Sequence, residues 1–187
     1  MKKILILLMG LGLILTAPLV SYAALSFSNT VDFYGSGTND GRTYYKLNDG
    51  NTGNFVYTYS HDVTFSPFVA RITSAEIILS HKKNSDTPGE VWLISGGTDT
   101  YIGQLNWSEN SWVDQSFSVP EPLFGVISGG SWSLEVRLTE ETTGTDKIWL
   151  DKSVLSGEYI PVPIPSAMLL LGSGLVGLVV IRRRIKK

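Results

Sequence analysis

Two histidines, His61 and His81, are the only imidazoles in the chain, so acid–base chemistry through a ring nitrogen would have to use one of them. His61 falls beside an expected strand bend, and His81 where an apolar run gives way to the polar loop 82–88. Serine is abundant enough to complete a Ser–His–Asp set, but no Gly-x-Ser-x-Gly elbow occurs in the central segment, and Gly172-Ser173-Gly174 lies in an apolar tail. Carboxylate pairs for glycoside hydrolysis are defined by separation in space. The nearest candidates, Glu140 with Glu141 and Asp146 with Asp151, read as loop charges. No catalytic residue is assigned and the chain is read as a non-enzyme, a hydrolase being the remaining alternative.

Two kinds of binding chemistry are also available. Asp32, Asp49 and Asp151 offer the oxygen ligands a hard cation such as Ca²⁺ requires. The run 49–54, Asp-Gly-Asn-Thr-Gly-Asn, has Gly53 where an oxygen ligand is wanted, so turn chemistry competes with that reading. No other cofactor is implied. Five tryptophans suggest stacking on sugar rings, with core packing as the direct competitor. Trp132 and Trp149 alternate with apolar neighbours and read as core, and Trp92 fits either role. Trp107 and Trp112 flank Ser108-Glu109-Asn110-Ser111 and are the candidate exposed glycan platforms.

These side chains must be positioned by an all-β body. Between residues 24 and 158, Gly, Ser, Thr and Asn recur at short intervals between aromatic and β-branched runs. In 131–139, Trp132, Leu134, Val136 and Leu138 alternate with Ser133, Glu135 and Arg137, the pattern of a half-buried strand. Strands are predicted over 54–65, with a break near His61, and over 72–80, 90–95, 101–105, 112–119, 131–139 and 147–151. Asn39-Asp40-Gly41 and Asn48-Asp49-Gly50 signal turns in a loop or loose hairpin through 43–47. Seven or eight strands without an amphipathic helix predict an antiparallel β-sandwich, jelly-roll or immunoglobulin-like in outline.

Charge divides the chain sharply. All seventeen acidic residues lie between Asp32 and Glu158, whereas seven of the fifteen Lys and Arg sit at the two ends, leaving the middle nine charges negative. Nucleic acid is excluded as a partner, because phosphates need clustered cations. Without cysteine there are no disulfides or thiolate sites, and the body must be held by packing.

Residues 1–23 begin with Lys2 and Lys3, continue through apolar residues 4–15 and close on Ser21-Tyr22-Ala23. That is a signal peptide cut by signal peptidase after Ala23, the alternative being an uncleaved anchor. At the other end, Pro161, Pro163 and Pro165 hold residues 159–166 extended. Residues 162–181 are uncharged, long enough for one transmembrane helix over 167–181 with its approach, and 182–187 form a basic tail. Arg182, Arg183 and Arg184 stay cytoplasmic by the positive-inside rule, placing the acidic body outside.

Val162-Pro163-Ile164-Pro165, the Leu-rich run 169–175 and the terminal Arg182-Arg183-Arg184 together resemble a PEP-CTERM sorting signal, with Ile164 in place of the family's glutamate. The resemblance covers about a seventh of the chain. It implies processing at the proline motif by an exosortase-like membrane protease, passage through the inner membrane and delivery to the outer surface or extracellular matrix of a Gram-negative bacterium. A plain single-span anchor is the alternative. More loosely, 72–79 and 153–159 resemble the β-sandwich domains that precede such tails. The expectation is an exported, non-enzymatic surface or matrix protein associated with extracellular polysaccharide or adhesion. A carbohydrate-binding module is the alternative.

Overall fold

The structure, a computed structural model, describes residues 23–47, 55–66, 69–84, 88–109, 111–124, 130–140 and 147–161. Outside them lie the signal peptide up to residue 22, Asp49, the proline motif Val162, Pro163, Ile164 and Pro165, the expected membrane helix, and Arg182, Arg183 and Arg184. No helix among the described residues is long and apolar enough to cross a membrane.

Among the described residues there are ten strands: β1 (Leu25–Asp32), β2 (Gly37–Asn39), β3 (Arg42–Leu47), β4 (Phe55–Thr64), β5 (Val69–Lys83), β6 (Gly89–Ser95), β7 (Thr98–Leu105), β8 (Val113–Ser118), β9 (Ser131–Glu140) and β10 (Ile148–Pro161). A 3₁₀ turn, Glu121–Phe124, precedes β9. One antiparallel sheet runs β2-β3-β10-β5-β8, with β1 also on β10, and the other runs β4-β9-β6-β7. Their inner faces share one core, in which Ile77, Leu79, Leu150, Leu155 and Phe117 meet Leu134, Val136, Leu138, Val91 and Leu93. Burying alternate side chains of both sheets is what the period-two pattern of these strands requires.

β10 organises the six-stranded sheet. One edge pairs with β5 along its length, while the other pairs first with β3 through residues 148–150 and then with β1 through 152–159. A register shift between Leu150 and Lys152 inserts Asp151 as an extra residue. The buried set therefore changes phase, from Ile148 and Leu150 to Ser153, Leu155 and Tyr159. The Asp151 carbonyl accepts the Phe33 amide at 2.8 Å, and its carboxylate accepts Arg42 Nη1 at 2.9 Å.

Several expectations are refined. β4 runs unbroken through His61 in ten consecutive pairs with β9. β1, unassigned from the sequence, is a full strand. β10 extends three residues past the expected boundary at 158, through Tyr159 and Ile160 to Pro161. Proline is tolerated there because the β1 ladder ends at the Leu25–Tyr159 pair and the β5 register shifts at Ile160/Pro161. The Asn39-Asp40-Gly41 signal is a two-residue hairpin turn between β2 and β3, with φ of 51° at Asp40 and 77° at Gly41.

Candidate functional site

The outer face of the four-stranded sheet follows directly from register. Residues paired across antiparallel strands share a face, so three rows cross it. Val56, Thr139, Glu90 and Gln104 form the first, Thr58, Arg137, Trp92 and Tyr101 the second, and Ser60, Glu135, Ile94 and Asp99 the third. A register shift after Val91 brings Tyr101 opposite Trp92.

Trp92 is the centre of this face and is held on several sides. Its indole N–H donates to Glu90 Oε2 at 3.0 Å, and the same oxygen accepts the Thr139 hydroxyl at 3.2 Å. The Arg137 guanidinium lies 5.4 Å from the ring centroid and is itself fixed by Asp99 at 2.8 Å. Tyr101 packs edge-on with a centroid separation of 5.3 Å, and is 45% exposed. A groove of about 560 Å³ runs over the first row and reaches Trp92 and Arg137 of the second, lined also by Pro88 at one end. A fixed indole set among a carboxylate, an amide, a guanidinium and a hydroxyl, with an exposed tyrosine ring beside it, offers a stacking surface for a pyranose ring and partners for its hydroxyls. Sites for small polar ligands combine apolar walls with a few placed polar groups in this way.

Of the platforms expected from sequence, Trp107 is 55% exposed in the β7–β8 connection. Trp112 lies against the β2–β3 hairpin, with Arg42 5.5 Å from its centroid and Tyr44 at 6.4 Å, and its buried indole nitrogen has no hydrogen-bond partner among the described residues. The two rings share no contact among the described residues. Trp132 is buried as expected, donating to the Leu123 carbonyl at 3.3 Å. Trp149 is not core: it is half-buried with the Lys82 ammonium 5.5 Å from its ring. Its outward place follows from the phase of β10 before the bulge, in which Ile148 and Leu150 face inward.

Of the calcium candidates, Asp32 is exposed at the end of β1, and Asp151 is bonded to Arg42. Among the described residues no three His, Asp or Glu side chains gather as a metal site.

The histidines are both fully buried. The Asn29 amide nitrogen donates to the Asp62 carbonyl at 3.0 Å, turning its oxygen toward His61 Nδ1 at 2.8 Å. Nδ1 therefore carries the proton, and Nε2 accepts from the Ser153 hydroxyl at 2.8 Å, which in turn accepts the Tyr59 hydroxyl at 2.9 Å. The order Ser–His–Asn is that of a nucleophile, a base and its orienting group. Ser153 and His61 have zero exposure, however, so no reacting atom reaches the hydroxyl. The set bridges β1, β4 and β10 and satisfies its own polar atoms.

The two antiparallel sheets packed on one core make the described body a β-sandwich with an aromatic and polar outer face. The chain matches no family profile and no curated protein. Among solved structures it is similar to a family 29 carbohydrate-binding module variant complexed with mannohexaose, at 10% identity over 71% of this chain and 92% of that one, with a TM-score of 0.40. A second variant of that module, complexed with cellulohexaose, gives 10% identity over 70% and 91%, with a TM-score of 0.36.

Proposed function

We propose that the β-sandwich binds extracellular polysaccharide through the outer face of its four-stranded sheet, without chemical turnover. The observation that carries this is Trp92, fixed in the groove between Glu90 and Arg137, with Tyr101 packed edge-on beside it. A ring already held in place loses little freedom when a sugar stacks on it, and preorganisation of this kind raises affinity. Trp92 is an outward residue on a strand whose inward neighbours Val91 and Leu93 form the core. Its removal therefore tests binding rather than folding.

Glycan-array and pull-down binding to insoluble polysaccharide test the reading. Trp92→Ala is expected to weaken binding at least tenfold, in the range of an aromatic hot spot worth about 2 kcal/mol. Tyr101→Ala weakens it less, and Trp107→Ala leaves it unchanged. Undiminished binding by Trp92→Ala, or no binding of any glycan by the wild type, refutes it.

The same proposal includes export and sorting, with the sandwich delivered to the cell surface or matrix by the signal peptide and by processing at Val162–Pro165. One boundary supports the export step. β1 starts at Leu25, just past the expected cut after Ala23, so that cut spares the sheet. Mass spectrometry of the mature protein is expected to find Ala24 as the first residue and a C-terminus between residues 163 and 166. An intact Lys187 would leave a membrane anchor and remove the sorting step.

A further inference from the structure

Where the end of β1 passes β3 and β4, a cavity of about 270 Å³ opens among five rings, Phe33, Tyr34, Tyr45, Tyr57 and Tyr59. Four of them brace one another. Tyr45 stacks on Tyr57 with centroids 5.2 Å apart, Tyr57 lies 6.1 Å from Phe33 and 6.2 Å from Tyr59, and Phe33 meets Tyr59 edge-on at 4.9 Å. The fifth, Tyr34, is 74% exposed, and among the described residues it packs on no other ring and its side chain makes no hydrogen bond. Its backbone is fixed on both sides, by the Phe33 amide on the Asp151 carbonyl at 2.8 Å and the Ser36 amide on the Tyr44 carbonyl at 3.1 Å. Tyr34 and Tyr45 are both large apolar residues left exposed, and they converge on this cavity. Exposed singly, such residues are ordinary; gathered together, they mark a binding surface.

The charge around the rings selects the ligand. Asp32 is the one charged residue in the described lining, and it is exposed. Lys152 stands opposite it on β10 but forms no ion pair with it among the described residues. The Tyr59 hydroxyl is committed to Ser153. Beyond the other tyrosine hydroxyls and Asp32, the described lining has no polar side chain to fix the hydroxyls of a sugar. Aromatic walls with a carboxylate beside them suit an organic cation instead. A primary ammonium is strongly hydrated and loses more water in entering such walls than a methylated one does. The groove at Trp92 and the cavity beside β5 differ in carrying cations of their own, Arg137 and Arg71.

We propose that this cavity binds a quaternary ammonium group, its methyls against Tyr34, Tyr45 and Tyr57 and its charge facing Asp32. The strongly acidic body draws such a cation toward the protein at long range. The site is separate from the groove at Trp92 and does not rest on the glycan reading.

The test is calorimetric titration of the full-length protein in maltoside micelles, with protein-free micelles as the blank. The probes are choline, its uncharged isostere dimethylbutanol, and ethanolamine. Choline is expected to bind saturably and about tenfold more tightly than either of the others. Tyr34→Ala and Asp32→Asn should each weaken it about fivefold. Both positions are exposed, so neither change threatens the fold. Tyr34→Phe keeps the ring and should bind choline as the wild type does. Glycerophosphocholine, whose phosphate would approach Asp32, separates the two sources of the ligand: tighter binding of choline identifies a free cation, tighter binding of glycerophosphocholine a lipid headgroup. No saturable choline binding, equal binding of dimethylbutanol or ethanolamine, or undiminished binding by Tyr34→Ala or Asp32→Asn would each overturn the proposal.

Discussion

His61 shows how a single buried side chain sets a pH limit. Burial disfavours the charged ring and lowers its pKa from 6.5 to about 4, with Asp62 partly opposing. The unfolded chain takes up this proton at the ordinary value, so as pH falls from 6.5 toward 4 the unfolded state binds a proton the folded state refuses. Stability is full above that window and drops through it by up to about 3 kcal/mol. His81, also lowered chiefly by burial, adds in the same direction. Urea midpoints are expected to fall between pH 7 and pH 4.5, and to fall less in His61→Gln; a flat profile would contradict this account. Trp112 offers a second test. Its buried indole N–H has no partner among the described residues, and such a group costs about 1–3 kcal/mol. Trp112→Phe removes that cost while keeping a ring beneath Arg42, and is expected to stay within about 1 kcal/mol of wild type, whereas Trp112→Ala loses about 3 kcal/mol. The sequence left Trp92 between core and surface and placed Trp149 in the core. Which face a tryptophan occupies depends on pairing and bulges set by distant residues, and the phase change at Asp151 leaves no local mark.

At the scale of elements, alternation made β9 legible almost to the residue, and Asp40-Gly41 marked its hairpin because both positions need positive φ. β1 was missed because its alternation, Leu25, Phe27 and Val31 against Ser26, Ser28, Thr30 and Asp32, is interrupted by the polar Asn29 and lies directly after the expected signal peptide; it is a strand because β10 lies beside it. β10 was seen only at its start, since a bulge and Gly157 interrupt its pattern. Gly157 is there for space: a Cβ would collide with the Ser74 carbonyl oxygen and lie 2.8 Å from the Phe27 ring. Gly157→Ala is expected to cost at least about 3 kcal/mol, read as a lowered urea midpoint, since backbone cannot yield as a side chain can. The β2–β3 hairpin is secured differently, by Arg42 on Ser80 and Asp151 and by Asn39 on Lys82. Arg42→Ala is expected to raise amide exchange over residues 37–44 while exchange in β9 stays slow.

For the whole molecule, the first and last strands pair with each other, so the six-stranded sheet cannot be completed until nearly the entire body is available. Such non-local pairing predicts refolding in about milliseconds to seconds. It also predicts that a chain ending before Ile148 shows no cooperative unfolding transition by calorimetry. The pairing has a mechanical consequence too. Beyond Pro161 the chain continues toward its tail, and a pull transmitted through that tail enters the sheet at the end of β10. There the strand is gripped by β5 on one side and β1 on the other, along ladders that run parallel to the load. Their hydrogen bonds must give way together in shear, whereas a hairpin peeled from its turn would lose them one at a time. A load applied along β10 therefore meets the sheet in its most resistant direction.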